Sequence, residues 1–420
     1  MRIIIIGGGI GGLALAAGLR RYAFDVTVFE RDTDLAATGG YHITLDGRAQ
    51  SALRELVSPE IFERLLGSAS ALRLRDPDAL WDRRGRLLGH GPYLGDSASV
   101  DIDRVTLRTL LAEAVGADLR PGRTVTGIGR DEDGSPLVMF ADAAPVRCDL
   151  LVGADGTHSL VARHLAGVPT NAPAGIIGFS GRTRVDDLGP AERARLGPRS
   201  GLAIGPRGAA LYIGYLDPVG NAVLDTPALR QAVTTGPTYI WGAMFPDSGD
   251  TMRDARGAAL QSALLARFRR EGWSPKSLEV LARADPNTVA AFRFHAASTH
   301  APDLAPWPAG PITALGDAVH ATPPTAGMGA GAALRDAAAL LTHLHPVAAG
   351  TTTLTVAISH YEAEMRLRGS EVLTQAMKTV RWILATNTPF GAVATPLLAA
   401  AHRLRYRTDK TRSRPRTARP

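Results

Sequence analysis

Arg2-Ile3-Ile4-Ile5-Ile6-Gly7-Gly8-Gly9-Ile10-Gly11-Gly12 joins a short apolar run to a glycine cluster, and Val26-Thr27-Val28-Phe29-Glu30 follows one helix later. The unbroken β-branched run is the pattern of a strand covered on both faces of a parallel sheet. From about Ile10 to Tyr22, Leu13, Ala16, Ala17 and Arg20 recur at helical spacing. Val26–Glu30 reads as a second strand. Strand, helix and strand joined this closely form a βαβ unit with parallel strands. The fold class read from this stretch is α/β.

The glycine cluster fits G-x-G-x-x-G at Gly7, Gly9 and Gly12. Such a turn must be tight, its backbone must approach a pyrophosphate, and its helix must pack closely on the strand. The helix N-terminus then offers free N–H groups and a partial positive charge to phosphate. Glu30, closing the second strand, is positioned to accept hydrogen bonds from a ribose diol. These features identify a dinucleotide site and leave FAD and NAD both open.

Two further glycine motifs also end buried strands. Gly153-Ala154-Asp155-Gly156, with Ser159 and Arg163, follows Asp149–Val152. Gly316-Asp317-Ala318-Val319-His320 follows Pro311–Leu315 and leads to Pro323-Pro324 and Gly327-Met328-Gly329. A lone carboxylate at the end of a buried strand, as at Asp317, is costly unless it is hydrogen-bonded. Pro324 and Gly327 shape a turn that presents backbone rather than side chains. The helix after Gly329 begins with free N–H groups and a partial positive charge.

In this combination and order the motifs resemble the single-component FAD-dependent monooxygenases, the class of p-hydroxybenzoate hydroxylase and the tetracycline-inactivating flavin monooxygenases. The resemblance covers roughly residues 1–385. Gly153–Ser159 with Arg163 resembles the family's DG motif, and Ala314–His320 resembles its GD motif, whose aspartate holds the ribityl chain. Asp103-Arg104 with Leu107 and Leu110 is similar to the helix whose arginine reaches the flavin nucleotide. Gly39-Gly40-Tyr41-His42 and Gly47 resemble the segment beside the isoalloxazine, most like the tetracycline-inactivating branch. The implied cofactor set is Gly7, Gly9, Gly12, Glu30, Arg31, Arg104, Val125, Asp155, Asp317, Pro324, Gly327, Gly329, Ala330 and Gly331. Met328 and Gly331 stand where the family often has Gln and Asn, which bears on loop stiffness and substrate fit rather than on backbone contacts to flavin. The resemblance implies FAD reduced by NADPH or NADH, with O2 and an electron-rich small molecule as the other substrates.

A chain of 420 residues suggests two domains. The reading is a discontinuous Rossmann-like FAD-binding domain (1–71, 97–171, 286–345) and a β-rich substrate domain (a hairpin at 72–96, then 172–285). C-terminal helices (346–404) and a basic disordered tail (405–420) follow. The hairpin strands are expected at Leu72–Asp76 and Arg86–Leu88. Further strands are expected near Arg123–Arg130, Leu137–Ala141, Leu211–Tyr215 and Thr238–Phe245, and helices at 46–57, 104–115, Gly327–Leu344, 353–385 and 389–404.

Tyr212, Tyr215, Trp241, Met244 and Phe245 are the candidate substrate contacts. Strand alternation puts Tyr212 with Gly214 and Ile213 with Tyr215 without saying which face meets the pocket. His42 and His295 are the candidate catalytic side chains, and His320 is read as a support for its loop. Arg182 and Arg184 form the one arginine pair on a predicted strand of this domain, a poor fork for a small carboxylate. No metal site is expected.

Residues 403–420 carry seven arginines and Lys410 against Asp409, which accounts for the whole net charge of +7. A nucleic-acid protein would carry its excess charge on a folded face, so no nucleic-acid partner is expected. No apolar run reaches the roughly 18 residues that span a bilayer, and one cysteine, Cys148, excludes an intramolecular disulfide; a cytoplasmic protein is expected. The reading of function is insertion of one oxygen atom from O2 into an electron-rich aromatic or olefinic small molecule, expected to be a bulky natural product or antibiotic. Alternatives are epoxidation, oxidative rearrangement or halogenation on the same fold, or a non-catalytic flavoprotein that sequesters a small molecule. No K-x-W-x-W-x-I-P-like segment supports halogenation.

Overall fold

A computed structural model describes residues 1–36, 42–218, 236–249 and 251–387. Gly39, Gly40 and Tyr41, the helix expected at 389–404 and the basic tail lie outside the described residues.

Five parallel strands form the first sheet, in the order Ile312–Ala314, Leu150–Gly153, Arg2–Ile6, Asp25–Phe29, Leu119–Arg120. The isoleucine run fills both faces. Ile3 and Ile5 pack with Leu13, Leu107 and Leu334 from the helices Ile10–Arg21, Arg104–Val115 and Gly329–Ala348. Ile4 and Ile6 pack with Ile128, Val138 and Val161 on the other face. A three-stranded antiparallel sheet, Val125–Arg130, Pro136–Phe140 and Val146–Arg147, supplies Ile128 and Val138 there.

The β-rich part is a seven-stranded sheet ordered Ala290–Ala296, Ala172–Arg184, Thr238–Pro246, Ala210–Leu216, Gly201–Ile204, Ala79–Trp81, Leu87–His90. All pairs are antiparallel except Gly201–Ile204 with Ala79–Trp81. Three expectations are corrected here. The hairpin strands are Ala79–Trp81 and Leu87–His90; Leu72–Leu74 is a single 3-10 turn, and Pro77 breaks the run before the strand. Ala290–Ala296, assigned to the FAD-binding part, pairs instead with Ala172–Arg184, covering what would otherwise be an open sheet edge. The segment read as strands and turns also contains a helix, Gly257–Arg270, whose Leu260, Leu264 and Phe268 fall on one face and bury against the sheet. A helix at Pro59–Gly67, capped by Ser58, had no assignment from sequence.

The long helix Leu354–Ala385 ties the two parts together. Its Tyr361 hydroxyl donates to the Ala314 carbonyl at 2.9 Å. Further along, Val380 and Ile383 pack with Ile176 and Phe294 of the seven-stranded sheet.

Candidate functional site

The three glycine motifs meet at the C-terminal ends of adjacent parallel strands. Gly7 has φ +109°, and a Cβ there would lie 2.3 Å from the Ala154 carbonyl oxygen, so the first motif touches the second. The Leu315 N–H donates to the Gly153 carbonyl at 2.9 Å, which joins the second to the third. A Cβ on Gly11 would lie 2.6 Å from Leu315 Cδ1, which closes the set. In open α/β sheets this edge is where ligands bind.

At the first motif, Gly9 is the N-cap of Ile10–Arg21 and provides no side-chain cap. No acidic residue sits in that helix's first turn, so its positive end is uncompensated there. A Cβ on Gly9 would meet only the Ala154 carbonyl oxygen, at 3.8 Å. Protein packing therefore does not require glycine at this position, whereas a ligand passing close to the backbone would. Glu30, 6% exposed, accepts from the Gly8 N–H at 2.6 Å and the Asp32 N–H at 2.8 Å. Arg108, unassigned from sequence, lies 3.2 Å from the same carboxylate and donates to the Gly8 carbonyl at 2.8 Å. Its only sequence signal is its place one helical turn after Arg104. Glu30 thus staples the loop. Next to it, Arg123 donates its N–H to the Glu30 carbonyl, and Val125 opens the following strand, half-buried. Arg31 is exposed, its guanidinium 3.8 Å from Asp32.

Asp155 turns its carboxylate onto its own helix, accepting from Ser159 Oγ and from the Leu160 N–H at 2.7 Å. That is the role of a helix cap. Arg163 is exposed on the same short helix.

Asp317 is different. Its one protein hydrogen bond among the described residues comes from the Thr322 N–H at 3.3 Å. Burial pushes its carboxyl up from the usual range, tempered by His320 and Arg104. Acceptor capacity is left over at the edge where the motifs meet. Behind it, His320 is fully buried and its Nε2 lies 2.5 Å from Asp336 Oδ2. Asp336 also accepts from the Gly316 N–H and from Arg368 Nε, each at 3.0 Å. His320 therefore supports the loop through two residues that sequence did not mark. Gly327, with φ +64°, turns the chain into Gly329–Ala348, whose N-cap Met328 provides no side-chain cap. Gly329 and Ala330 are half-buried at that helix start, while Gly331 faces the Gly47–Leu56 helix, where a Cβ would lie 3.3 Å from Ala49 Cβ.

A cavity of about 790 Å³ opens between this loop and the seven-stranded sheet. Pro324, Thr325 and Gly327 border it on one side; Leu80, Leu202, Tyr212, Gly242, Met244 and Phe292 come from one face of the sheet. Tyr212 and Met244 are therefore pocket residues. Tyr215 and Phe245 are not: both point to the opposite face, into the core with Ile213, Leu211 and Phe268. Trp241 borders the cavity, but its side chain is 1% exposed and belongs to that same core. The reason is alternation: even-numbered positions of Thr238–Pro246 face the cavity and odd-numbered ones the core.

His42 lines the cavity, its Nε2 3.1 Å from the Tyr212 hydroxyl and 3.7 Å from Asp101. Burial pushes the Tyr212 phenol well above its ordinary value, so it serves as a neutral hydrogen-bonding group. His295 lies outside the cavity wall. Its Nδ1 is 2.9 Å from Asn171 Oδ1, its ring meets His158 edge-on, and burial, then His158, lowers its pKa. Arg182 reaches Asp103, and Arg184 is exposed beside Asp186, so neither enters the cavity. Arg75, unassigned from sequence, does enter it. Cys148 is buried, its thiol pushed up to about 12 by burial and then by Asp149. Among the described residues, no cluster of three or more His, Cys, Asp or Glu could hold a metal ion, and no helix is long and apolar enough to cross a membrane.

The family model described as "FAD binding domain" matches residues 1–186 and 275–376. A dual O-methyltransferase/FAD-dependent monooxygenase of Phaeosphaeria nodorum is 28% identical over 80% of this chain, which spans only 39% of that relative's length. An FAD-dependent urate hydroxylase of Mycolicibacterium vanbaalenii is 27% identical over 90% of this chain and 87% of its own. A solved FAD-containing monooxygenase from Photorhabdus luminescens superposes with a TM-score of 0.73 at 26% identity, covering 91% of this chain and 98% of that one.

Proposed function

The chain belongs to the FAD binding domain family, and from that premise we propose that it is an FAD-dependent monooxygenase. It consumes NADPH or NADH and O2 in the cytoplasm and inserts one oxygen atom into a bulky, electron-rich aromatic or olefinic molecule. The observation that carries this reading is the cavity of about 790 Å³ between the third glycine motif and an apolar sheet face. FAD, when bound and reduced, supplies the activation of O2 and the oxygen atom that is transferred.

The residues present fit that cofactor. The uncapped helix start at Gly9 suits a pyrophosphate, and the free capacity of Asp317 suits the ribityl hydroxyls. Glu30 would accept from the ribose. The N-terminus of Gly329–Ala348, beside the cavity loop, favours negative charge on the group bound there. The cavity walls, Leu80, Leu202, Met244 and Phe292 among them, orient a ring and exclude water.

Asp317→Ala is expected to weaken FAD retention by about 1–3 kcal/mol through lost buried hydrogen bonds, and Glu30→Ala by at least as much because its loop also loosens. Equilibrium dialysis of FAD against each purified variant measures this; wild-type retention in Asp317→Ala would remove the ribityl assignment.

For the substrate, NADPH oxidation and product mass should be followed with a fused polycyclic phenol and with a hydroxybenzoate. Coupled consumption and a product heavier by one oxygen are expected with the polycycle. Tight coupling with the hydroxybenzoate alone would overturn the bulky-substrate reading, and a protein that never stimulates nicotinamide oxidation would be a binding protein instead.

A further inference from the structure

The titratable side chains lining the cavity among the described residues are His42, Arg75, Asp78, His90, Asp101 and Tyr212. Two of the charges cancel. Arg75 Nη1 lies 2.7 Å from Asp101 Oδ2, with their side chains 4% and 1% exposed. The Arg75 guanidinium also donates to Ser200 Oγ and the Tyr215 carbonyl, and Asp101 accepts from Thr44 Oγ1 at 2.6 Å. His42 is engaged with Tyr212.

Among the described residues Asp78 enters no such ion pair. It stands two residues before Leu80, whose register partner is Leu202, so alternation directs it to the cavity face. Its Oδ1 is buried and accepts no hydrogen bond. Burial pushes its carboxyl up, tempered by Arg75, His42 and the Ser200 N–H, while Asp101 adds to the rise. Among the described residues Asp78 is thus a lining carboxylate that no arginine or lysine meets in an ion pair, set in a wall of Leu80, Leu202 and Phe292. An unpaired buried carboxylate is costly until a cation or strong donor reaches it. The same group repels a carboxylate ligand.

We infer that Asp78 is the specificity residue for a protonated amine on the substrate, so that the natural substrate is a cationic, amine-bearing polycycle. This rests on the proposed function only in taking the cavity as the substrate site. Asp78 accepts the ammonium N–H through Oδ1, while the apolar face holds the rings. The anchored amine fixes which part of the molecule is presented to the loop Pro324–Gly327.

The test uses the FAD-loaded protein and three fluorescent probes of one shape: 9-(aminomethyl)anthracene, 9-anthracenemethanol and anthracene-9-carboxylate, titrated by fluorescence anisotropy. The ammonium should bind about tenfold or more tightly than the alcohol, since an ion pair between opposite charges replaces a hydrogen bond from an uncharged hydroxyl, and the carboxylate should bind weakest. Asp78→Asn should bring the ammonium to within about twofold of the alcohol by weakening the ammonium far more than the alcohol, and Asp78→Glu should keep the preference. Equal binding of ammonium and alcohol by the wild type overturns the inference, as does an ammonium preference that survives Asp78→Asn. If Asp78→Asn fails to retain FAD, the wild-type ratio decides alone. Oxygen transfer to a ring without any ammonium preference overturns the inference and leaves the proposed function standing. Ammonium preference without oxygen transfer to any substrate supports the inference and removes the function.

Discussion

A Gly9→Val protein is expected to fold normally and to purify colourless. Gly9 has φ −79° and ψ 179°, an extended conformation open to any residue, and a Cβ there meets nothing closer than 3.8 Å. The added Cβ therefore introduces no clash within the chain. Its methyls would occupy the space in front of the first free N–H groups of Ile10–Arg21, where the pyrophosphate of FAD is proposed to lie. FAD affinity should fall roughly a hundredfold or more, equivalent to about 2.8 kcal/mol. Gly12→Val is the contrasting variant. A Cβ at position 12 would lie 2.2 Å from the Gly7 carbonyl oxygen and 2.9 Å from Ala154 Cβ, so this protein should lose stability whether or not FAD is present. Thermal melting without cofactor, together with flavin absorbance after FAD addition, separates the two. A yellow, wild-type-like Gly9→Val protein would mean that no cofactor approaches this turn.

The largest loss of stability is expected from Asp336→Ala. Asp336 is fully buried and joins the Gly316 N–H and His320 Nε2 of one segment to Arg368 Nε of another. Removing it leaves a histidine and an arginine without their shared anion, at about 3–5 kcal/mol for a buried pair that loses one partner. The Asp317 loop should loosen with it, so FAD retention should fall too. The pair also predicts a pH dependence. Burial alone would push His320 down and Asp336 up, and their mutual attraction outweighs it, leaving His320 raised and Asp336 lowered. Stability from a raised histidine is complete below its unfolded value and is lost as pH rises through the folded one. Stability from a lowered aspartate is complete above its unfolded value and is lost as pH falls through the folded one. The contribution is therefore full between roughly pH 4 and 6.5 and declines on either side. Denaturant unfolding of the wild type and Asp336→Asn across pH 3–9 should show their difference largest in that window; a flat difference would show that the pair stays neutral.

Much of this architecture was legible in local pattern. Ile3–Ile6 read as a two-faced buried strand because each neighbour is apolar, and Ile3 with Ile5 and Ile4 with Ile6 do fill separate cores. The helices Arg104–Val115 and Leu354–Ala385 carried their own periodicity. The misplaced hairpin shows the limit. Leu72, Leu74 and Leu88 alternate well enough for strands, yet the pairing belongs to Ala79–Trp81, whose parallel partner Gly201–Ile204 lies more than a hundred residues away. Arg108 and Arg75 were missed because a helical or loop arginine carries no mark of the carboxylate it will meet.

The sequence by itself determined the α/β class, the βαβ start and the three glycine motifs, because each depends on residues adjacent along the chain. Glycine φ freedom, strand hydrophobicity and helix-start polarity are local properties. Only the tertiary structure decided that Tyr212 and Met244 face the cavity while Tyr215 and Phe245 face the core. It alone decided that His42 belongs to the cavity and His295 does not, that Asp336 and Arg368 support His320, and that Asp78 enters no ion pair among the described residues. Alternation defines two faces of a strand but not which of them another layer covers, and a charge is paired or unpaired only by groups that folding brings from distant segments.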